Sequence, residues 1–433
     1  MRNFRFRALA AVMAFAAAAL AACGGGGSSG GSQASVRLVN ATLTHASLNL
    51  LANSAIVVTG TAVDTASAYV SVNSGSPSLQ VNDTTSGAVL AVTAPTVTKG
   101  QKFALIAYES GGAVRTAVIS EDTTAPAAGT AVVRIFDAAT DAGSIDVYVT
   151  DPAVDITKLS SPTFSFTSSV SVQASNFLSF GPGTFRIRVT GAGNPSDLRL
   201  DIPSVVLASQ QVATVILTPT TGGTLANGSV LVQDATYTAT RNTSSRVRLV
   251  AAVSSNASVS ATAGTTSIGT GVVAPAIGTY TNVPSGSAIN VTVNGASIGA
   301  PAAALAAGSD ATLLVYGNAA SATATLIADD NHLPTATSNY KLRMINGVTG
   351  AAVPLTLAVN FAPVASNVLP GTASAYAVLA ASMTTQLSVT SPSSLTPIYP
   401  NPFTTVSIPG NAVFTLFMLG DASAPVGVLR KDR

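Results

Sequence analysis

Residues 133–137 read Val-Arg-Ile-Phe-Asp, and this short stretch decides the fold because the chain contains four versions of it. The other three are Val36-Arg37-Leu38-Val39-Asn40, Val247-Arg248-Leu249-Val250-Ala251 and Leu342-Arg343-Met344-Ile345-Asn346. Successive arginines are separated by 97, 114 and 95 residues. Apolar residues on both sides of each arginine alternate as they do in a half-buried strand. Repetition at this spacing predicts a tandem array of β units.

Each copy is followed by the same further landmarks. An aromatic residue comes first, at Tyr69, Phe177, Tyr280 and Tyr376. A turn and a strand follow, most clearly in 180–189, Phe-Gly-Pro-Gly-Thr-Phe-Arg-Ile-Arg-Val. Pro and Gly set the turn, and the alternation after them gives the strand one buried face. The sequence therefore predicts an all-β fold of four immunoglobulin-like sandwiches, with about seven short strands each.

The N-terminal residues are typical of an export signal. Residues 1–7 contain three arginines and no acid, and residues 8–22 are almost wholly apolar. Fifteen apolar residues are too few to span a bilayer, which needs roughly 20. A positive start, a short apolar middle and small residues before a break predict a secretory signal.

The single cysteine of the chain, Cys23, directly follows this signal. Leu20-Ala21-Ala22-Cys23 resembles the lipobox of bacterial lipoproteins, which implies cleavage before Cys23 and acylation of its thiol and amino groups. Two or more acyl chains hold a protein stably at a membrane. Gly24 after the cysteine implies, by the same resemblance, an outer-membrane location facing the periplasm or the cell surface. The alternative is a chance cysteine after an ordinary signal peptide.

These landmarks predict the organisation of the whole chain. We expect a signal peptide at 1–22, a lipidated cysteine with a flexible Gly/Ser tether at 23–34, and sandwiches at 35–122, 131–235, 245–330 and 338–433. These four sandwiches are called units one to four below. The intervening segments 123–130, 236–244 and 331–337 are poor in large apolar residues and are predicted to be linkers.

Composition argues against several functions. After removal of the signal peptide, 17 basic and 18 acidic residues remain, so we expect no nucleic-acid partner. The two histidines, His45 and His332, fall in predicted loops and are expected to be solvent-exposed. A Ser-His-Asp triad needs an oriented histidine base, and zinc needs several His or Cys ligands. We therefore expect no cofactor and no catalysis, with a hydrolase as the weakest alternative.

Three acids of unit two form a weak calcium candidate: Asp137, Asp141 and Asp146. Calcium prefers six to eight oxygen ligands, which carboxylates on loops at one end of a sandwich can supply. The alternative is that Asp141 makes a turn while Asp146 points outward from a strand.

The repeated arginines and aromatics are given structural roles. An acid recurs at the end of the last strand of each unit, so we predict ion pairs within units. These are Arg37–Asp122, Arg134–Asp234, Arg248–Asp329 and Arg343–Asp432. The repeated aromatic residues are predicted to pack in the cores. A sugar-binding platform is the alternative, which the absence of Trp weakens.

Unit two also carries a resemblance to a family. Its Val-Arg-Ile strand, the segment 141–149 and the Pro-Gly turn resemble the bacterial domain-of-unknown-function 4397 family. The resemblance implies exported, lipid-anchored proteins with a transthyretin-like or immunoglobulin-like sandwich, and it brings no activity. We expect a lipid-anchored cell-envelope protein that acts as a non-catalytic structural or adhesion/binding module. Its partners would be the membrane, through the lipid, and an unknown envelope protein or glycan. The alternative is a periplasmic or surface protein that binds polysaccharide or calcium at inter-strand loops.

Overall fold

The structure is a computed structural model that describes residues 32–167, 171–350, 353–392, 394–399 and 405–433. The predicted signal peptide, Cys23 and most of the tether lie outside the described residues. Within them the chain is all-β, which confirms the predicted fold class. Helical geometry is limited there to three 3₁₀ turns, Thr140–Ala142, Ile156–Lys158 and Ala319–Ser321. No helix in this part of the chain is long and apolar enough to cross a membrane.

The strands of the first two units follow in chain order. Unit one contains β1 (Gln33–Asn40), β2 (Ser47–Ala52), β3 (Ala55–Ala62), β4 (Thr65–Ala66), β5 (Val70–Asn73), β6 (Leu79–Asp83), β7 (Val89–Thr93), β8 (Lys102–Ser110) and β9 (Ala113–Ser120). Unit two contains β10 (Ala131–Asp137), β11 (Ile145–Thr150), β12 (Phe164–Phe166), β13 (Gln173–Ala174), β14 (Leu178–Phe180), β15 (Gly183–Gly191), β16 (Asn194–Leu207), β17 (Val212–Pro219), β18 (Ala226–Val232) and β19 (Tyr237–Thr240).

The second half of the chain repeats this order. Unit three contains β20 (Ser244–Val253), β21 (Ser258–Ala263), β22 (Thr266–Val273), β23 (Ala276–Ile277), β24 (Thr281–Pro284), β25 (Ile289–Val293), β26 (Ala296–Ile298), β27 (Asp310–Gly317) and β28 (Thr323–Asp329). Unit four contains β29 (Asn339–Asn346), β30 (Leu355–Val359), β31 (Ala362–Val368), β32 (Thr372–Ala373), β33 (Ala377–Ala380), β34 (Ser382–Ser391), β35 (Ser394–Tyr399), β36 (Thr405–Ile408), β37 (Ala412–Leu419) and β38 (Val426–Lys431).

Each unit is built from two sheets. In the inner sheet, the opening strand lies parallel to a late strand: β1 to β8, β10 to β17, β20 to β27 and β29 to β37. The outer sheets are antiparallel, with orders β3-β2-β6-β7, β12-β11-β15-β16, β22-β21-β25-β26 and β31-β30-β34-β35. A closed apolar core fills the space between the two sheets of each unit. The predicted linker 236–244 contains β19, which pairs with β18, so part of that segment belongs to the sheet of unit two.

The inner sheets are buried on both faces. Along β8, every residue from 103 to 108 is buried, although a strand in a free sandwich would bury only alternate residues. The second face is covered because the inner sheets of units one and two pack against each other, through residues such as Ile106 and Phe136. Units three and four pack in the same way, through Leu314 and Phe417. The four sandwiches therefore form two back-to-back pairs.

A loop of unit two joins these two pairs. The Gly222 amide donates to the Gly308 carbonyl at 2.8 Å, and the Gly222 carbonyl accepts from the Asn331 amide at 3.0 Å. A Cβ at position 222 would overlap the backbone of Asp310, so only glycine fits this contact. Through these bonds the second unit is fixed to the third.

Candidate functional site

The four repeated arginines lie at the faces between units. Alternation along β1 places Leu38 in the core of unit one and Arg37 on the opposite face, which unit two covers. Each guanidinium also lies over the repeated aromatic ring of its own unit. The distances from guanidinium carbon to ring centroid are 4.9 Å for Arg37–Tyr69, 4.7 Å for Arg134–Phe177, 4.6 Å for Arg248–Tyr280 and 4.6 Å for Arg343–Tyr376. These aromatics, predicted as core residues, therefore support the interface arginines through cation–π contacts.

In units two, three and four, the repeated arginine is hydrogen-bonded to a threonine on the parallel neighbouring strand. The arginine Nε donates to the threonine hydroxyl at 3.0 Å in Arg134–Thr214, 2.9 Å in Arg248–Thr312 and 3.2 Å in Arg343–Thr415. In unit one the parallel register places Ala104 opposite Arg37. There the Nε donates directly to the Glu121 carboxylate at 2.7 Å.

Units three and four exchange their acids. Arg343 of unit four pairs with Asp329 of unit three, and Arg248 of unit three pairs with Asp432 of unit four. Of the two predicted pairs within units, Arg248–Asp329 survives only as a longer contact of 3.8 Å. The predicted Arg343–Asp432 pair is wrong, since no ion pair joins these two described residues. The exchange follows from the packing, because the facing of the inner sheets brings the last strand of each unit against the opening strand of the other.

Unit one uses a different acid from the predicted one. Arg37 forms a buried ion pair with Glu121, whereas Asp122 is exposed. The predicted Arg37–Asp122 pair is therefore wrong by one residue, because alternation turns Asp122 toward solvent. Arg37 also donates at 3.1 Å to the carbonyls of Val232 and Ala235 in unit two.

In unit two a glutamine takes the place of the acid that would pair with the repeated arginine. The position equivalent to Glu121 is Gln233, whose amide bonds with the backbone of Thr123. Asp234 instead pairs with Lys102 of unit one at 2.5 Å, so the predicted Arg134–Asp234 pair is wrong. Arg134 donates to the Ser120 carbonyl at 2.7 Å. Burial lowers the pKa of Arg134, and the negative charge of Glu121 offsets that effect only in part.

The three calcium candidates are held separately by protein donors. Asp137 accepts from the Ala139 amide at 3.0 Å. Asp146 accepts from the Ser165 hydroxyl and the Gly193 amide, each at 2.7 Å. The described residues contain no cluster of three or more His, Cys, Asp or Glu side chains placed to hold a metal ion. The calcium prediction is therefore wrong for these side chains, because the three do not form such a cluster and each accepts hydrogen bonds from different protein groups.

Asp141, the third of these acids, contributes to the junction between unit two and the linker before unit four. Its carboxylate accepts from the Leu333 amide at 3.2 Å. Burial raises the pKa of Asp141, and the nearby positive charge of His332 partly offsets that effect. This carboxylate therefore has a structural position between units.

Both histidines are half-buried, contrary to the predicted exposure. His45 Nδ1 lies 2.9 Å from Asp83, whose carboxylate also accepts from the Ser86 hydroxyl at 2.9 Å. The histidine and the serine thus both contact the carboxylate of Asp83. In a Ser-His-Asp triad the histidine lies between the serine and the acid, so this arrangement is not a triad. His332 lies 2.5 Å from Asp330. Burial lowers its pKa, but the Asp330 hydrogen bond and neighbouring acids outweigh burial and raise it overall.

Two grooves open at equivalent places along the interface between units three and four, and residues of unit two also line each of them. Groove one, of about 560 Å³, is lined by Asn194, Ser196, Asp197, Arg246, Arg248, residues 278–282, Arg430, Lys431 and Asp432. Groove two, of about 480 Å³, is lined by Thr221, Thr325, residues 327–330, Arg343, residues 371–374 and Tyr376. In each groove, the aromatic segment of one unit faces the last strand of the other. Sequence reasoning missed both grooves because it did not predict the pairing of units.

Comparison with known proteins supports the family resemblance. The family described as "Domain of unknown function (DUF4397)" matches residues 34–148. The predicted resemblance is therefore confirmed over unit one and the start of unit two, although unit two carried its clearest motifs. No curated protein matches the chain.

Two solved structures show weak similarity. One is a "putative cell adhesion protein" from Bacteroides uniformis ATCC 8492, with 12% identity and a TM-score of 0.19, covering 47% of this chain and 99% of that one. The other is the multi-modular glycogen-degrading pneumococcal virulence factor SpuA, with 9% identity and a TM-score of 0.16, covering 84% of this chain and 37% of that one. Likeness at TM-scores this low does not identify a function.

Proposed function

We propose that the chain is a lipid-anchored protein of the outer membrane that acts as a non-catalytic binding or structural module. Cys23 would carry the lipid, and the Gly/Ser tether would join it to unit one. The four sandwiches would then present one packed body at the membrane, facing the periplasm or the cell surface.

One observation carries the non-catalytic part of the proposal. The charged constellations that recur among the described residues, each an arginine over an aromatic ring with a threonine or an acid, join neighbouring units. Arg37, Arg248 and Arg343 are each at most 3% exposed and hydrogen-bonded within the protein. Such groups rigidify a fold, and their charges and hydrogen bonds are already used between units.

The anchor is tested by fractionation. Cells producing the wild-type chain, Cys23→Ala or the tether control Ser28→Ala are separated into membrane and soluble fractions. We expect the wild type and Ser28→Ala in the outer-membrane fraction, and Cys23→Ala in the soluble fraction with an unchanged melting temperature. A wild-type chain found in the soluble fraction, or a Cys23→Ala chain that remains with the membrane, would contradict the proposal.

A polysaccharide-binding role is the second candidate function, and groove one favours it. That groove is lined by hydroxyl, amide and guanidinium groups, which are the donors and acceptors that sugars use. Its volume is within the usual range of ligand sites, roughly 300–1,000 Å³.

A further inference from the structure

The last strand of unit four departs from a pattern that the other three units share. In each inner sheet the repeated arginine lies opposite a residue of the parallel late strand, and that residue pairs in turn with one residue of the last strand. This last-strand residue is apolar in the first three units: Ile119, Leu231 and Ile327. In unit four the same position is Arg430. The next position is Ser120, Val232 and Ala328 in the first three units, and Lys431 in the fourth. Two cations therefore stand where the repeat otherwise has apolar or small uncharged side chains.

The departure has a structural consequence. Ile119 and Leu231 are buried in the apolar cluster between units one and two. Arg430 and Lys431 are exposed, and both line groove one. The equivalent groove two has Ile327 and Ala328 at these positions. The two grooves therefore have the same fold and different charge.

The charge of groove one is not neutralised from within. Asp197 pairs with Arg199 at 2.7 Å, and Asp432 pairs with Arg248. Arg246 lies 3.4 Å from Asp310. Once these pairs are counted, Arg430 and Lys431 remain, and neither has an ion-pair partner within 4 Å among the described residues. The two unpaired cations therefore give groove one a net positive charge, which favours the binding of a negatively charged group.

The remaining lining indicates what carries that charge. Asn194, Ser196, Thr279 and Asn282 supply amide and hydroxyl groups to groove one. The aromatic ring in the groove, Tyr280, is covered by the guanidiniums of Arg246 and Arg248 at 4.5 and 4.6 Å. Because that ring is already covered, the site is poorly suited to stacking nucleobases. Sugar hydroxyls and carboxylates match the lining better.

We propose that groove one binds an acidic oligosaccharide, with Arg430 and Lys431 contacting its carboxylate or sulfate groups. This inference rests on the proposed binding role and specifies its ligand class. The site was not predicted from the sequence, because neither cation belongs to a recognisable motif.

The test measures binding by the full-length chain in detergent, using calorimetry with defined probes. The probes are tri-galacturonate, a sulfated heparin tetrasaccharide, neutral maltotriose, inorganic sulfate and a single-stranded oligonucleotide. The variant Arg430→Ile/Lys431→Ala replaces the two cations by the residue types that unit three has at the equivalent positions. The control Lys99→Ala/Lys158→Ala removes two exposed cations elsewhere, so it changes the net charge equally.

We expect at least one of the two acidic oligosaccharides to bind the wild type and the control equally. The groove variant should bind it at least about tenfold more weakly, as loss of charge-assisted hydrogen bonds predicts. Equal binding by variant and wild type, equally tight binding of maltotriose, or preference for free sulfate or the oligonucleotide would overturn the proposal. So would failure of both acidic probes, whereas the proposed anchoring function would then still stand on the Cys23 fractionation.

Discussion

Replacing Asp137 by asparagine should stabilise the protein. Asp137 closes the opening strand of unit two and is 3% exposed. The equivalent positions in units one and four are Asn40 and Asn346, whose amide nitrogens donate to the carbonyls of Thr61 (3.1 Å) and Val368 (2.9 Å). A carboxylate cannot make that donation, but a carboxylic acid can. The fold therefore favours the protonated form at this position.

The size of the effect follows from the pKa. Burial raises the pKa of Asp137 from 3.8 to about 6. The folded chain thus keeps its proton up to about pH 6, while the unfolded chain loses it near pH 4. This group's contribution to stability is complete below the unfolded pKa, declines as the pH rises through the folded pKa, and is lost above it. A shift of two pKa units corresponds to about 3 kcal/mol of free energy.

Urea unfolding of the wild type and Asp137→Asn, followed by circular dichroism between pH 4 and pH 8, measures this difference. We expect the variant to be more stable by about 1–3 kcal/mol at pH 7.5, with the advantage shrinking steadily toward pH 4. The exposed Asp151→Asn removes the same charge and should have little effect at any pH. An advantage that does not vary with pH, or a variant no more stable than the wild type at pH 7.5, would refute the reasoning.

Two further substitutions test the interfaces between units. Glu121→Gln leaves the arginine of unit one without its buried counter-charge and should destabilise the protein by about 3 kcal/mol in urea unfolding. The control Asp122→Asn should change the free energy of unfolding by less than about 0.5 kcal/mol. Equal effects of the two substitutions would contradict the assignment of Glu121 as the partner. Gly371→Ala introduces a Cβ that overlaps a tyrosine ring of unit three and strains a φ of +79°, while Gly87→Ala strains a φ of +71° in open space. In thermal melts, Gly371→Ala should lose about 1–3 kcal/mol more than Gly87→Ala, and similar losses would show that the close contact is unimportant.

The strand pattern of this protein was largely predictable from its sequence. The alternation in 180–189 gave one strand, and the structure has β15 there, with Ile187 and Val189 in the core. The repeated arginine segments likewise became the opening strands of four inner sheets. These features depend on local alternation and on turn residues, which a single sequence displays directly.

The acid partners were not predictable by the same reasoning. Counting to the last acid of each strand selected Asp122 and Asp234, but the register of the sheets selects Glu121 and Gln233. A shift of one residue reverses the face on which a side chain lies. The sequence showed that acids recur near the strand ends, but not which of two neighbouring residues points toward the arginine.

The pairing of units did leave a signal in the sequence, in the late strands. Residues 103–108, Phe-Ala-Leu-Ile-Ala-Tyr, and 414–419, Phe-Thr-Leu-Phe-Met-Leu, are apolar or nearly so without alternation. Such runs are typical of strands that are buried on both faces, which a sandwich facing solvent on one side does not provide. Since each repeated arginine lies beside such a strand, it had to be buried under another unit. At such an interface the last strand of the neighbouring unit also lies within reach of the arginine. The arginine can therefore pair with an acid of that unit, as Arg248 does with Asp432.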